Sequence, residues 1–154
     1  MKALKPLLAA AILTAGLAAP GVAQEPRDTA QEEANRKLVV EFYDKVFNQH
    51  KVAEGAAVLT EDYKQHNPYV PDGKEPFVSY FTQFFQDNPE ARTRVVRSAA
   101  DGDLVWLHNH STQKPDDRGE AIVDIFRVKD GMITEHWDVI QAVPETSANE
   151  NTMF

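Results

Sequence analysis

The chain has 154 residues, 24 of them acidic and 16 basic, with no cysteine and a formal charge of −8 at neutral pH. That length holds one domain, with a core that buries roughly two thirds of the unfolded surface, and leaves no room for a second. The acidic balance opposes binding to nucleic acid or to an anionic membrane surface, and the lack of cysteine excludes disulfides, thiolate chemistry and a lipidated-cysteine anchor.

At the N-terminus, Lys2 and Lys5 precede an apolar run from Leu7 to Ala19, and Gly21-Val22-Ala23 places small residues before Gln24. This is the pattern of a cleaved signal peptide over residues 1–23, and the run is short of the about 20 residues that a membrane span needs. Cleavage removes two lysines and no acid, leaving 14 basic against 24 acidic residues, a charge of about −10. The expectation is a periplasmic or secreted protein with no stable membrane anchor. Residues 24–33 are polar and read as a linker or frayed helix start.

From Ala34 the pattern becomes helical. Leu38, Val39, Phe42, Tyr43, Val46 and Phe47 recur at spacings of three and four, one apolar stripe of a helix ending near Asn48. A second short helix is expected over Val52 to Leu59, weakened by Gly55. The stretch from Tyr63 to Gly73 is rich in Pro, Asn and Gly and reads as a loop, followed by a helix from about Glu75 to Gln86 with Pro76 in its first turn. After Ala91 the chain reads as four antiparallel strands, Thr93 to Ala99, Leu104 to Thr112, Glu120 to Val128 and Met132 to Val143, separated by turn signals that include Asp101-Gly102 and Asp130-Gly131. Helices followed by strands predict an α+β domain over residues 34–143, with a C-terminal tail over residues 144–154.

The last hairpin carries the densest chemistry. Alternation puts Ile122, Asp124, Phe126 and Val128 on one face of the third strand, and Met132, Thr134, His136, Asp138 and Ile140 on one face of the fourth. A three-residue loop at Lys129-Asp130-Gly131 would set Asp124 opposite His136 and Ile122 opposite Asp138, gathering the two acids and the histidine. A two-residue turn at Asp130-Gly131 would shift the register by one and face Asp124 away from Asp138. The three-residue loop is favoured because it matches apolar with apolar and ionisable with ionisable residues. Gathered in an apolar cavity, the three side chains suit acid/base work; the bland alternative is an Asp124–His136 ion pair with Asp138 at a rim.

The second strand carries Trp106, His108 and His110 on one face, readable as a ligand wall with His108 donating a hydrogen bond, or as two metal ligands completed by His66. The metal reading is the weaker, and no metal is assigned. In the loop, Gln65, His66 and Asn67 can present polar groups to a cavity mouth or form a plain turn with His66 and Asn67 solvated, and Tyr63 can reach the cavity through its hydroxyl or simply pack. Trp137 and Glu135 fall on the face opposite Asp138, where a tryptophan suggests a second layer or a partner copy.

Tyr63-Lys64-Gln65-His66-Asn67-Pro68, Pro71-Asp72-Gly73-Lys74, Ala100 to Val105 and the stretch Asp124 to Gln141 with Glu135-His136-Trp137-Asp138 together resemble the SnoaL-like branch of the nuclear transport factor 2-like and ketosteroid-isomerase-like superfamily. The resemblance covers about Ala34 to Val143. It implies a cone-shaped fold in which N-terminal helices pack on a strongly curved antiparallel sheet around a deep pocket, and a homodimer formed through the outer sheet face. The polyketide cyclases of the family close a ring by aldol condensation without cofactor or metal, using an aspartate as general acid and base. That aspartate matches Asp138, and their catalytic histidine on the preceding strand is matched here by Asp124. The reading is therefore a pocket protein for a small neutral or weakly polar organic molecule, acting as a cofactor-independent cyclase, isomerase or lyase. Asp138, Asp124, His136 and His108 are its candidate catalytic residues, and Tyr63, His66, Asn67, Trp106 and His110 its candidate ligand contacts. The alternatives are a binding protein without turnover and a histidine-based metal enzyme.

Overall fold

The computed structural model describes residues 27–154, so the expected signal peptide lies outside the described residues. Helix α1 spans Thr29–Phe47, starting five residues before the expected Ala34. Its start is set by Asp28, whose carboxylate caps the backbone N–H of Gln31, and by an Arg27–Glu32 ion pair; the cap places residues 29–33 of the expected linker inside the helix. The predicted stripe is buried as expected through Val39, Phe42, Tyr43 and Val46.

Helix α2 covers only Val52–Gly55 and passes through a 3₁₀ turn over Ala56–Val58 into strand β1, Leu59–Gln65. This strand replaces the expected end of a helix and start of a loop. LTEDYKQ buries only Leu59 and Tyr63 deeply, so the alternation that marks a strand is missing. Helix α3, Lys74–Asp87, follows as predicted, and begins after Gly73, whose φ of 101° favours glycine.

Strands β2 (Arg92–Asp101), β3 (Leu104–Thr112), β4 (Glu120–Lys129) and β5 (Met132–Ala142) match the four expected strands within two residues. The sheet order is β1-β5-β4-β3-β2. Pairing is antiparallel except that β1 runs parallel to β5, so the sheet is mixed rather than wholly antiparallel. It is curved and unclosed, with α1 packed against β2 and β3 and α3 against β1. Among the described residues no helix is long and apolar enough to cross a membrane.

The β4–β5 register differs from the favoured one. Lys129 pairs with Met132, so the connection is the two-residue turn, with Asp130 at φ 50° and Gly131 at φ 73° as a type I′ turn requires. By itself this turn would face Asp124 away from Asp138. A bulge intervenes: Val128 pairs with Ile133 but Arg127 pairs with Glu135, leaving Thr134 as the extra residue. Beyond it Phe126 lies opposite His136 and Asp124 opposite Asp138, so the predicted common face is restored by a different register.

Candidate acid/base site in an aromatic cavity

Between the helices and the inner face of the sheet lies a cavity of about 810 Å³. Phe42, Tyr43 and Phe47 of α1 and Phe77, Phe81 and Phe85 of α3 line it, and Asp124, His136 and Asp138 line it from the sheet. The aromatic side chains pack on one another, with Phe42 edge-on to Phe126 at 5.8 Å and Phe47 edge-on to Phe81 at 5.1 Å. Edge-to-face packing of this kind adds rigidity to what burial already stabilises.

Asp124 is 4 % exposed. Its Oδ1 lies 2.9 Å from His136 Nε2, while Oδ2 accepts from the Tyr43 hydroxyl at 3.1 Å and from Asn109 Nδ2. A buried carboxylate needs such partners, since desolvation without them is costly. His136 is tied at its other nitrogen as well, with Nδ1 2.7 Å from Gln65 Oε1. That oxygen also accepts the Asn67 backbone N–H at 3.0 Å, which makes it an acceptor and makes Nδ1 a donor. Both ring nitrogens thus face oxygen atoms, and Asp124 and His136 form a buried hydrogen-bonded pair. Phe126 supports the ring at a centroid distance of 4.6 Å.

Asp138 is held differently. Asn67 Nδ2 donates to its Oδ2 at 2.6 Å, and the amide is oriented by the Tyr69 backbone N–H, which donates to Asn67 Oδ1 at 2.9 Å. No ion pair reaches Asp138 among the described residues. It is only half-buried, and it faces Asp124 directly across the strands, an arrangement that like charges disfavour unless a cation or proton sits nearby. The His136 ring lies beside both acids. Donor atoms of Asp124, His136 and Asp138 all lie within 4.8 Å of one another.

Two tyrosines register the negative field. Burial, then the Asp124 carboxylate, push the Tyr43 phenol well above its ordinary range. Tyr63 is raised likewise by burial and by the charges of Asp124 and Asp138, and its fully buried hydroxyl has no hydrogen-bond partner among the described residues. Both therefore stay neutral donors.

Of the residues singled out from the sequence, Asp124, His136, Asp138, Tyr63 and Asn67 line this cavity. His66, Trp106, His108 and His110 do not, and their assignment to it is corrected. Val105, Leu107 and Asn109 form the buried face of β3, which turns the intervening residues outward. There His108 Nδ1 meets Arg97 at 2.9 Å, and His110 stacks on Phe154 at 4.1 Å. His66 lies flat against Trp137 at 4.6 Å and bonds Glu135 at 2.9 Å. The three histidines of the metal reading are thus engaged separately, and among the described residues they form no common cluster. Tyr43 and Asn109 were missed. Asn109 had a signal: it is a polar residue on the face that Val105 and Leu107 make apolar.

A model of the SnoaL-like domain matches residues 39–136. No curated protein matches the chain. Among solved structures, a candidate ketosteroid isomerase from Kribbella flavida is 22% identical, with 80% of this chain and 90% of that one covered at a TM-score of 0.62. A SnoaL-like protein of unknown function from Burkholderia thailandensis is 13% identical, covering 71% and 97% at 0.62. A candidate polyketide cyclase from Bacillus cereus is 22% identical, covering 70% and 74% at 0.56. At these identities the likeness is one of fold.

Proposed function

Since the chain belongs to the SnoaL-like domain family, we propose that its cavity acts on a small neutral or weakly polar organic molecule by acid/base chemistry of the isomerase or cyclase type, with Asp138 carrying the proton. The observation that carries this reading is the contrast within the cluster. Asp124 is saturated by Tyr43, Asn109 and His136, whereas Asp138 lines an aromatic cavity, is only half-buried and is bonded by one neutral amide.

In this reading Asp138 removes a proton from carbon next to a carbonyl and returns it elsewhere on the same molecule. The His136 ring, fixed by Gln65, holds Asp124 in place beside Asp138. Aromatic walls exclude water and orient a flat apolar body. The proposal extends to export, on the pattern of residues 1–23, and to pairing of two copies through the outer sheet face, where Val123 and Val139 are 42% and 72% exposed.

A binding protein without turnover is the second reading, favoured by the Asp124–His136 pair having every partner a structural pair needs. Mass spectrometry of ligands retained on gentle purification, before and after incubation, separates the two. Chemical change with the native protein that slows about 10²–10⁴-fold in Asp138→Asn supports proton transfer. A retained ligand that never changes supports binding alone, and undiminished turnover in Asp138→Asn removes the assignment.

A further inference from the structure

We propose that the outer face of β3 is a docking surface for the chain's own residues 145–154, and that a second copy of the protein can take the same surface only when this segment leaves it. The inference rests on the reading that two copies pair through the outer sheet face.

The surface suits a flat side chain. His110 Nε2 donates to the Arg118 carbonyl at 2.8 Å, and His108 Nδ1 accepts from the Arg97 guanidinium at 2.9 Å. Each imidazole is thereby held through a nitrogen at its edge, which leaves its face open to stacking. Phe154 uses both rings, lying nearly parallel to His110 at 4.1 Å and 22° and reaching His108 at 5.8 Å.

The segment is fastened at its two ends and at little between them. Arg118 pairs with Glu145 at 2.9 Å, but the two side chains are 54% and 82% exposed, and a pair so placed is screened by water and adds little. Residues 146–152 are exposed, while Met153 and Phe154 are half-buried. The hydrogen bonds of residues 146–154 stay within the segment: the backbone N–H groups of Asn149, Asn151 and Phe154 donate to the side chains of Ser147, Asn149 and Thr152. Among the described residues none of them reaches the sheet. One aromatic stack and one exposed ion pair make a segment that opens far more readily than the strands beneath it.

A second copy needs the same ground. His108 lies opposite Val123 and Val123 opposite Val139, so the platform under Phe154 runs without a break into the exposed valines of the outer face. Adjacent strands are about 4.8 Å apart, whereas a stable interface covers about 800 Å² on each partner, a patch several strands wide. Contact centred on Val123 and Val139 therefore extends over His108 and His110. Docked Phe154 and a docked partner exclude each other.

The test is sedimentation equilibrium of the protein, of Phe154→Ser and of a chain ending at Pro144, with the His110 ring protons followed by NMR, because a stacked phenylalanine ring shields them. A segment docked about nine-tenths of the time lowers the apparent affinity of the copies about 10-fold, so both variants should self-associate about 10-fold more tightly and lose the shielding. The native chain should lose the shielding as it dimerises at high concentration. Val139→Glu should prevent pairing and keep the shielding. Equal or weaker self-association of the variants, or shielding that persists in the native dimer, overturns the inference and leaves the pairing of copies standing. Absence of self-association in every chain overturns the pairing reading, and the competition with it.

Discussion

A histidine–carboxylate pair lies on each face of the sheet. His136–Asp124 on the inner face and His66–Glu135 on the outer face are both separated by 2.9 Å, but the side chains of the first pair are 8% and 6% exposed and those of the second 38% and 22%. Distance does not distinguish them; surroundings do. The inner pair sits where every polar atom needs a partner, and its oxygens also serve Tyr43 and Asn109. The outer pair sits in a chain of charges, with Arg127 bridging Glu135 and Asp103, and water competes for each member. One face supports a preorganised centre and the other a solvated clasp that holds the 66–67 loop to β5.

Breaking the inner pair should have the larger effect. Asp124→Ala strands the Tyr43 hydroxyl, the Asn109 amide and the buried His136 ring, and should cost about 3–5 kcal/mol of stability in urea unfolding. A loss below 1 kcal/mol would mean that water repairs the site and that it is less enclosed than its burial indicates. On the outer face, His66→Ala should cost no more than about 1 kcal/mol by the same measurement, because an exposed pair is screened and its ordering entropy offsets the attraction. A cost equal to that of Asp124→Ala would erase the distinction between the faces.

The smallest effect is a pH dependence. His66, then Arg127, hold the Glu135 carboxyl below its ordinary value of 4.5. A carboxyl lowered in the folded state contributes stability that is present above the unfolded value and is lost as pH falls through the folded one. Stability should therefore decline on acidification below about 4.5, and Glu135→Gln should shallow that decline slightly without altering stability near neutrality beyond the cost of the outer pair. An unchanged acid limb in Glu135→Gln would mean that the pair is not formed in solution.

How much of this was legible in the sequence depended on whether a residue's environment was local. The α1 stripe and the strands from β2 to β5 announce themselves by periodicity, and the structure keeps them. Strand β1 does not, because an edge strand that buries only two residues deeply lacks the alternation that identifies strands. The start of α1 was legible in principle: Asp28 followed three residues later by Gln31 is a capping pattern, outweighed by the charged composition around it. In the site, alternation placed Asp124, His136 and Asp138 together, but the outward face of β3 was taken for the inner one. Histidines draw attention as chemistry, while the apolar Val105 and Leu107 on either side of Trp106 mark the buried side. Gln65 was visible only as one polar loop residue, since its two acceptor contacts depend on β1 pairing with β5.

The bulge at Thr134 makes the centre a matter of parity. A two-residue turn contributes an odd offset between β4 and β5, the extra residue adds one, and only the even total puts Asp138 on the side of Asp124. Side-chain substitutions at the turn or bulge leave that count untouched, whereas losing one residue from either would send everything beyond it to the wrong side of the sheet. A second length change in the other would bring it back. The site is therefore sensitive to a single-residue gap in the hairpin tip, and a compensating change of length should restore it.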